Sequence, residues 1–401
     1  MLMTAFYILA LLAVIQGLIA LMEGIRYWQY VRSNLAELPA DYLPKVAVVV
    51  PCKGLETDFR ENILSLLGQD YPDYEIIFVT EADTDPAYRQ LAGILQEQSF
   101  PHAVLITAGL AQSRSQKIHN LLVGLEYVSD DVEVFAFADA DATPTSFWLR
   151  WLVAPLADPT VGATTGYRWY VPARGNAPSL LRSLWNATIV TALGPHQRNF
   201  SWGGSMAIRR RTFQSVGVSE RWVNACADDY ALSRAVKEQG LYVRFVPACL
   251  LPSRGPCSLA ELLRFTTRQM IITRVYWPAL WWLALVSNLL FFAVFYGGIG
   301  IWLWRWWAGL DVGAVPWIVT FIYLLGLLKS LFRQKAVELV LKEHRAELKR
   351  YRLAYWLLYP LANLIFLYNL IVSAVSRVIE WRGVRYKLVS PTQTWIVDRG
   401  S

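Results

Sequence analysis

Val132-Glu133-Val134-Phe135-Ala136-Phe137-Ala138-Asp139-Ala140-Asp141-Ala142-Thr143-Pro144 is the stretch that decides the fold. A largely apolar run ends abruptly on two carboxylates, and Thr143-Pro144 follows as a turn signal. The run reads as a buried strand that delivers Asp139 and Asp141 to the C-terminal edge of a parallel sheet, where open α/β sheets bind their ligands. Two carboxylates one residue apart can hold a divalent cation, and the cation can hold a diphosphate. The competing reading is a helix-capping turn ahead of Ser146, since Asp favours such positions. The strand context favours the metal.

Upstream of this stretch, strand and helix patterns alternate. Strands are expected over Lys45–Val50, Tyr74–Val79, His102–Thr107 and Val132–Ala138, and helices over Asp58–Leu67, Ala87–Gln96 and Gln116–Tyr127. Continuous apolar runs, rather than alternation, imply strands covered on both faces. Repeated β-α units over about 100 residues predict a doubly wound α/β sheet. Downstream the pattern is less regular. Strands are expected at Gly162–Val171 and Leu241–Pro247, with helices at Pro178–Leu193, Ala227–Gln239 and Ser258–Trp277. Phe200–Ile208 reads as strand-like with Gly203-Gly204 inside it, a sign of close backbone approach to a ligand.

The 401 residues are 55% hydrophobic with 18 Trp, and the apolar residues are clustered. Thr4–Met22 and Pro278–Trp304 are uncharged and long enough to span a bilayer. Val312–Leu328 is a shorter span, and Leu353–Val375 is another, interrupted by Pro360 and open to a re-entrant reading. Arg26 and Arg32 follow the first apolar core, which favours a retained anchor with a cytoplasmic C-terminal side over a cleaved signal peptide. The basic stretch Lys329–Arg352 is expected as a cytoplasmic loop. The chain thus divides into an N-terminal anchor over 1–30, a cytoplasmic domain over 42–277 ending in an interfacial amphipathic helix, and a C-terminal membrane region over 278–401. A multi-pass protein of a bacterial inner membrane is expected. The net charge of +7 is assigned to juxtamembrane residues facing anionic lipid, and no nucleic-acid module accompanies it. Cys52, Cys226, Cys249 and Cys257 form no C-x-x-C pair and read as small apolar residues.

The polar residues near the predicted sheet edge form a set. Moving a sugar from a nucleoside diphosphate requires a grip on the nucleotide, neutralisation of the leaving diphosphate, and a base for the acceptor hydroxyl. Glu81 ends the second strand and can accept from a base or ribose, or it is a solvated loop acid. Lys117 and Asn120 share one helix face. Lys117 is a phosphate partner, or else an exposed lysine. Asp141 and Asp139 are the candidate ligands for Mg²⁺ or Mn²⁺. Asp229 opens a helix, where an acid is stabilised in any case, and is the candidate general base. Arg268 and Gln269 sit on the membrane-proximal helix, and either reach the diphosphate or snorkel at the interface.

With these motifs assembled, the chain resembles family-2-type glycosyltransferases of GT-A fold, and within them ceramide glucosyltransferases. The resemblance rests on Pro51-Cys52-Lys53-Gly54, Gln69-Asp70-Tyr71-Pro72, Asp85-Pro86-Ala87, Gln116-Lys117-Ile118-His119-Asn120-Leu121, Asp139-Ala140-Asp141, Gly203-Gly204-Ser205-Met206, Asp228-Asp229-Tyr230 and Trp381-Arg382-Gly383. It implies a GT-A mixed sheet with N- and C-terminal transmembrane helices, inverting transfer of one hexose from a UDP-sugar, a lipid acceptor, and Mg²⁺ or Mn²⁺. It matches Glu81 to the first acidic motif, Asp139 and Asp141 to the second, and Asp229 to the catalytic acid of the third. The family's Q/R-x-x-R-W motif is only partly kept, as Phe265-Thr266-Thr267-Arg268-Gln269. Two alternatives stay open: a processive polysaccharide synthase, and a catalytically silent membrane scaffold.

Overall fold

The computed structural model describes residues 2–37, 41–172 and 175–399. They form two compact units. One draws on residues 2–32, 175–192 and 256–376, and the other on 33–37, 41–172, 193–255 and 377–399. The division by contacts differs from the three-part expectation. Helices Ala177–Val190 and Leu259–Tyr276 group with the long apolar helices, while residues 377–399 group with the sheet.

In the sheet unit, seven of the described strands form one sheet: β1 (Val46–Pro51), β2 (Tyr74–Thr80), β3 (Ala103–Thr107), β4 (Val134–Ala138), β5 (Val161–Tyr170), β6 (Ser205–Arg209) and β7 (Tyr242–Ser253). Their order is β3-β2-β1-β4-β6-β5-β7. β1 to β4 run parallel, joined by helices Phe59–Leu67, Pro86–Glu97 and Gln116–Leu125. The β-branched run of β1 is buried along its whole length, from Val46 to Val50, as a strand covered on both faces must be. The chain winds outward from β1 to β3, then returns to place β4 on the other side of β1. That reversal is the switch point of a doubly wound sheet, and the crevice beyond it is where ligands bind.

β6 is antiparallel to both β4 and β5. Its direction has a local consequence: the residues entering β6 lie beside the residues leaving β4. Ser205 pairs with Ala138, and the Asp139 amide donates to the Gly204 carbonyl at 3.3 Å. Gly203 and Gly204 therefore precede the strand instead of lying inside it. β7 is longer than the expected Leu241–Pro247. Thr165 pairs with Phe245 but Tyr167 with Leu250, so β7 loops outward and then rejoins β5. The second stretch of pairing carries Arg168 opposite Leu251.

Residues 378–399 add a three-stranded antiparallel sheet of β8 (Val378–Trp381), β9 (Val384–Ser390) and β10 (Gln393–Arg399). Arg382 (φ 52°) and Gly383 (φ 76°) form the two-residue turn between β8 and β9, with the positive dihedrals of a type I′ hairpin. The Tyr386 hydroxyl accepts from the Gln116 amide at 3.1 Å, which ties this sheet to the start of the Gln116–Leu125 helix.

Among the described residues, the helical unit holds four helices long and apolar enough to cross a membrane: Leu2–Ala36, Pro278–Trp307, Val315–Val340 and Arg352–Val375. They pack through Phe6, Ala10, Phe291, Phe295, Val319 and Ile322. Glycines permit close contact, as in membrane bundles: Gly17 faces Leu325, and Gly298 faces Val319 and Phe6. Their outer surfaces expose Leu11, Trp282, Leu283, Trp317 and Leu357, side chains at home in lipid. Two expectations need correction. The basic stretch Lys329–Arg352 is not a loop throughout, because the third long helix continues to Val340. Arg333 is buried there and donates to the Ala187 carbonyl at 3.1 Å. The segment around Pro360 is one 24-residue helix.

Gln69, in Gln69-Asp70-Tyr71-Pro72, joins the first crossover helix to the segment after β4. Its amide donates to the Ser65 and Thr145 carbonyls at 2.7 and 3.0 Å and accepts from the Leu149 amide at 3.0 Å. Gln69→Ala removes all three bonds and leaves buried backbone groups unpaired, so we expect about 2–4 kcal/mol of lost stability. Thermal unfolding of the detergent-solubilised protein, followed by near-UV circular dichroism, measures this as a lowered midpoint.

Candidate active site

The site is built on the turn after β4. Its backbone is pinned from three sides. Asn62, on the first crossover helix, donates to the Ala140 carbonyl at 3.1 Å and accepts from the Thr143 hydroxyl at 2.6 Å. Ser253, at the end of β7, donates to the Asp141 carbonyl at 3.1 Å. The third anchor is the Gly204 carbonyl already described. Asp139 and Asp141 are therefore held by backbone bonds before their side chains meet anything. No capping role is involved, because the next helix starts at Trp148 without a side-chain cap.

Three basic side chains converge on these carboxylates. Lys117 Nζ lies 2.9 Å from Asp139 and 3.2 Å from Asp228, and donates to the Gly203 carbonyl at 3.1 Å. Arg168 grips Asp141 with both arms of its guanidinium, at 2.5 and 3.0 Å, and reaches Asp139 at 2.9 Å. Its guanidinium carbon lies 5.0 Å from the Trp202 ring centre and 5.7 Å from that of Tyr170, within cation–π range. Arg382, from the β8–β9 turn, pairs with Glu56 and approaches Asp141 at 3.8 Å. Burial pushes the Asp139 carboxyl up, but Lys117 and Arg168 outweigh it and hold Asp139 below the usual carboxylate range.

The third acidic motif behaves oppositely. Asp229 accepts from its neighbour's amide at Tyr230 (2.7 Å) and from the Gly203 amide (3.3 Å). Burial, and then the adjacent Asp228, push its carboxyl up to about 7, against the pull of Lys117. Asp228 is also raised, chiefly by burial. One cluster thus contains a carboxylate kept firmly ionised and another poised near neutrality. Environments that push paired acids apart in this way separate electrostatic from acid–base duties.

Lys117, Asp139, Asp141 and Asp229 are thus gathered through shared partners. Glu81 directly follows strand β2 and pairs with Lys53 at 2.5 Å, so it is an ion-paired carboxylate and not a loosely solvated one. Asn120 is buried, with its amide on the Val79 carbonyl at 3.1 Å. Arg268 and Gln269 lie on helix Leu259–Tyr276 in the helical unit, where Arg268 sits 5.6 Å from the Phe265 ring centre. Sequence reasoning passed over Arg168 and Lys53 as site residues. The available signal for Arg168 was a charged residue inside the otherwise uncharged strand Val161–Tyr170.

Among the described residues, no three His, Cys, Asp or Glu side chains gather around one point as a metal cage. Asp139 and Asp141 nonetheless converge: one nitrogen of Arg168 bonds an oxygen of each. Ions of the Mg²⁺ class are held by one or two carboxylates with substrate phosphates supplying further oxygens, so the pair fits such an ion in donor chemistry.

A mixed, parallel-rich sheet with acidic groups at its switch point, accompanied by apolar helices at both ends of the chain, defines a GT-A-type glycosyltransferase. The chain belongs to glycosyl transferase family 21, whose family model matches residues 5–394. The mannosyltransferase PcManGT from Pyrobaculum calidifontis, solved with GDP-Man and Mn²⁺, has the same fold. It aligns over 92% of this chain and 98% of its own at 18% identity and a TM-score of 0.51. Glucosyl-3-phosphoglycerate synthase from Mycobacterium tuberculosis, solved with Mn²⁺ and UDP-Glc, aligns over 62% of this chain and 82% of its own, with 16% identity and a TM-score of 0.39. The O-antigen biosynthesis protein RfbC of Myxococcus xanthus is 26% identical over 222 residues, which are 51% of this chain and 17% of that protein.

Gly203 and Gly204 let the backbone pass between the acids. A Cβ at Gly203 would overlap Asp228 Oδ2 and lie 2.7 Å from Lys117 Nζ. One at Gly204 would lie 2.6 Å from Asp139 Oδ2. Gly203→Ala is expected to force Lys117 and Asp228 apart and cost about 1–3 kcal/mol, as overpacking does. Gly93→Ala, in a helix with open space at that position, should be neutral or stabilising by up to about 1 kcal/mol. Paired thermal unfolding curves of the two variants read the contrast.

Proposed function

We propose that this glycosyltransferase moves a single hexose from a UDP-sugar to a hydroxyl of a membrane lipid, with inversion, at the cytoplasmic face of the membrane. The observation that carries the reading is the division of labour among the acids: Asp139 held ionised beside Asp141, and Asp229 poised near 7. Four bilayer-length helices in the same chain favour a lipid acceptor, and the ceramide-like headgroup alcohol is the acceptor class that the motif resemblance suggests. Arg26 and Arg32, which follow the first apolar core, support a cytoplasmic sheet unit.

Asp139 and Asp141 would hold Mg²⁺ or Mn²⁺, which when bound supplies positive charge to the leaving diphosphate. Asp229 accepts the proton of the acceptor hydroxyl as that oxygen attacks the anomeric carbon, and a single displacement inverts the centre. Lys117 keeps Asp139 and Asp228 oriented through its three contacts. Glu81, positioned by Lys53, takes hydrogen bonds from the nucleoside. The partly kept motif Phe265-Thr266-Thr267-Arg268-Gln269 is what assigns Arg268 and Gln269 to the diphosphate in this reading. On this reading residues 1–30 anchor the chain, 42–277 carry the transferase, and 278–401 form the C-terminal membrane region.

The test is transfer by the purified protein in lipid nanodiscs with Mn²⁺, a panel of UDP-sugars plus GDP-mannose, and total membrane lipids, read by mass spectrometry. A lipid gaining one hexose mass is the expected product. A long polymer would make the protein a processive synthase, and neither product nor nucleotide release would make it a silent scaffold. Asp229→Asn should lower transfer by about 10²–10⁴-fold with donor binding retained, and an active variant ends the base assignment.

The base must be ionised, so the rate should rise as pH passes upward through about 7 and fall below it. Asp228, Lys117 and Tyr167 are the titratable groups acting on Asp229. Asp228→Asn removes the like charge and should move the midpoint of the pH–rate profile to lower pH.

A further inference from the structure

We infer that Arg168 is an exchangeable counter-ion of the Asp139–Asp141 pair: it bonds the same oxygens a divalent cation would use, so metal and nucleotide bind together and not independently. The inference rests on the reading that this pair meets the metal.

The geometry accounts for every oxygen of the pair. Asp139 Oδ1 is taken by Lys117 at 2.9 Å. Asp139 Oδ2 is taken by Arg168 Nη2 at 2.9 Å. Asp141 Oδ1 and Oδ2 face Arg168 Nη2 and Nη1 at 2.5 and 3.0 Å. A divalent ion bonding both carboxylates competes with Lys117 and Arg168 for these oxygens, and Arg382 stands a further 3.8 Å from Asp141. Lys117 is the harder to move, because it also bonds Asp228 and the Gly203 carbonyl, and both would be left buried and unpaired. Arg168 has somewhere to go. Its side chain is long, and its guanidinium already lies near the Trp202 and Tyr170 rings and bonds the Tyr170 hydroxyl at 3.3 Å.

What makes the exchange favourable is a replacement anion. A planar guanidinium forks onto phosphate oxygens as readily as onto a carboxylate. A nucleotide diphosphate entering the crevice therefore offers Arg168 a new partner at the moment the metal needs the old ones. Without it, the metal competes with Arg168 for the same carboxylates, and a guanidinium at 12% side-chain exposure gives up two charged partners at a cost. The result is positive coupling between metal and nucleotide. Such coupling is reciprocal, each ligand tightening the other by the same factor.

The experiment is an electron paramagnetic resonance titration of Mn²⁺ into the full-length protein in detergent, alone and with saturating UDP or GDP. Wild type, Arg168→Gln and Arg168→Lys are compared after near-UV circular dichroism has established that each is folded. Wild type should bind Mn²⁺ weakly alone and about tenfold or more tightly with nucleotide, a typical coupling strength. Arg168→Gln should bind Mn²⁺ alone about tenfold more tightly than wild type, with most of the nucleotide-induced gain gone. Arg168→Lys keeps the charge but loses the fork and should fall between them, and it decides the matter if the Gln variant does not fold. Mn²⁺ that binds with nucleotide in wild type, but no more tightly alone in either variant, overturns the role of Arg168 while sparing the metal reading. Mn²⁺ that binds nowhere, with or without nucleotide, overturns both.

Discussion

A carboxylate taken out of water must be given a cation or a proton, and the sheet unit is arranged around that requirement. Asp139, Asp141, Asp228 and Asp229 meet where β4 ends and β6 begins. Lys117 comes from the third crossover helix, Arg168 from the distant strand β5, and Arg382 from a hairpin near the end of the chain. The compensation is divided unequally. Lys117 and Arg168 serve Asp139, and Arg168 also serves Asp141, while Asp229 has no basic partner of its own and drifts toward neutrality. Lys117 acts on Asp139, Asp228 and Asp229 together, so these three acids titrate as a coupled set.

The first half of the sheet was legible because its physics is local. β1, β2 and β4 are covered on both faces, so each reads as an unbroken apolar run, and the helices between them carry their own periodicity. Asp139 and Asp141 were legible for the same reason, as charges that abruptly end such a run. Asp229 was legible from the helix it opens. What escaped was set by pairing between distant segments. Nothing near Gly203 reveals that its strand runs antiparallel to β4 and so brings two glycines against Asp139. Nothing near Arg168 reveals that β7 loops out and rejoins β5 beside it. The terminal hairpin did carry a local signal: Val384, Tyr386 and Leu388 are buried and alternate with exposed Arg385 and Lys387. The high charge of that stretch obscured a period of two.

The long helices obey a different rule. For helices that lie in lipid, the apolar effect gives little reason to associate, and close packing at small residues takes over. Gly17, Gly24 and Gly298 serve this purpose, each with a facing side chain where a Cβ would sit. Some buried polar groups in this unit are bonded across helices, as where Thr266 and Thr267 both meet Asn369 at 3.2 and 2.9 Å. The apparent loop at Lys329–Arg352 is explained by the same accounting: Arg333 can sit inside a helix because a backbone carbonyl receives it.

Two carboxylates brought together without a cation between them repel each other. Arg168 offsets this by holding Asp139 and Asp141 converged on a single point. The cost is competition, since a metal arriving alone finds every oxygen engaged. On the proposed reading the gain is preorganisation, since the two carboxylates are already aimed at one point. Lys117 completes the arrangement by lowering Asp139 together with Arg168, and its contact with Asp228 links this half of the site to Asp229. A single buried lysine thus stands between two environments: on one side Asp139, held below the usual carboxylate range, on the other Asp228 and Asp229, both pushed up by burial.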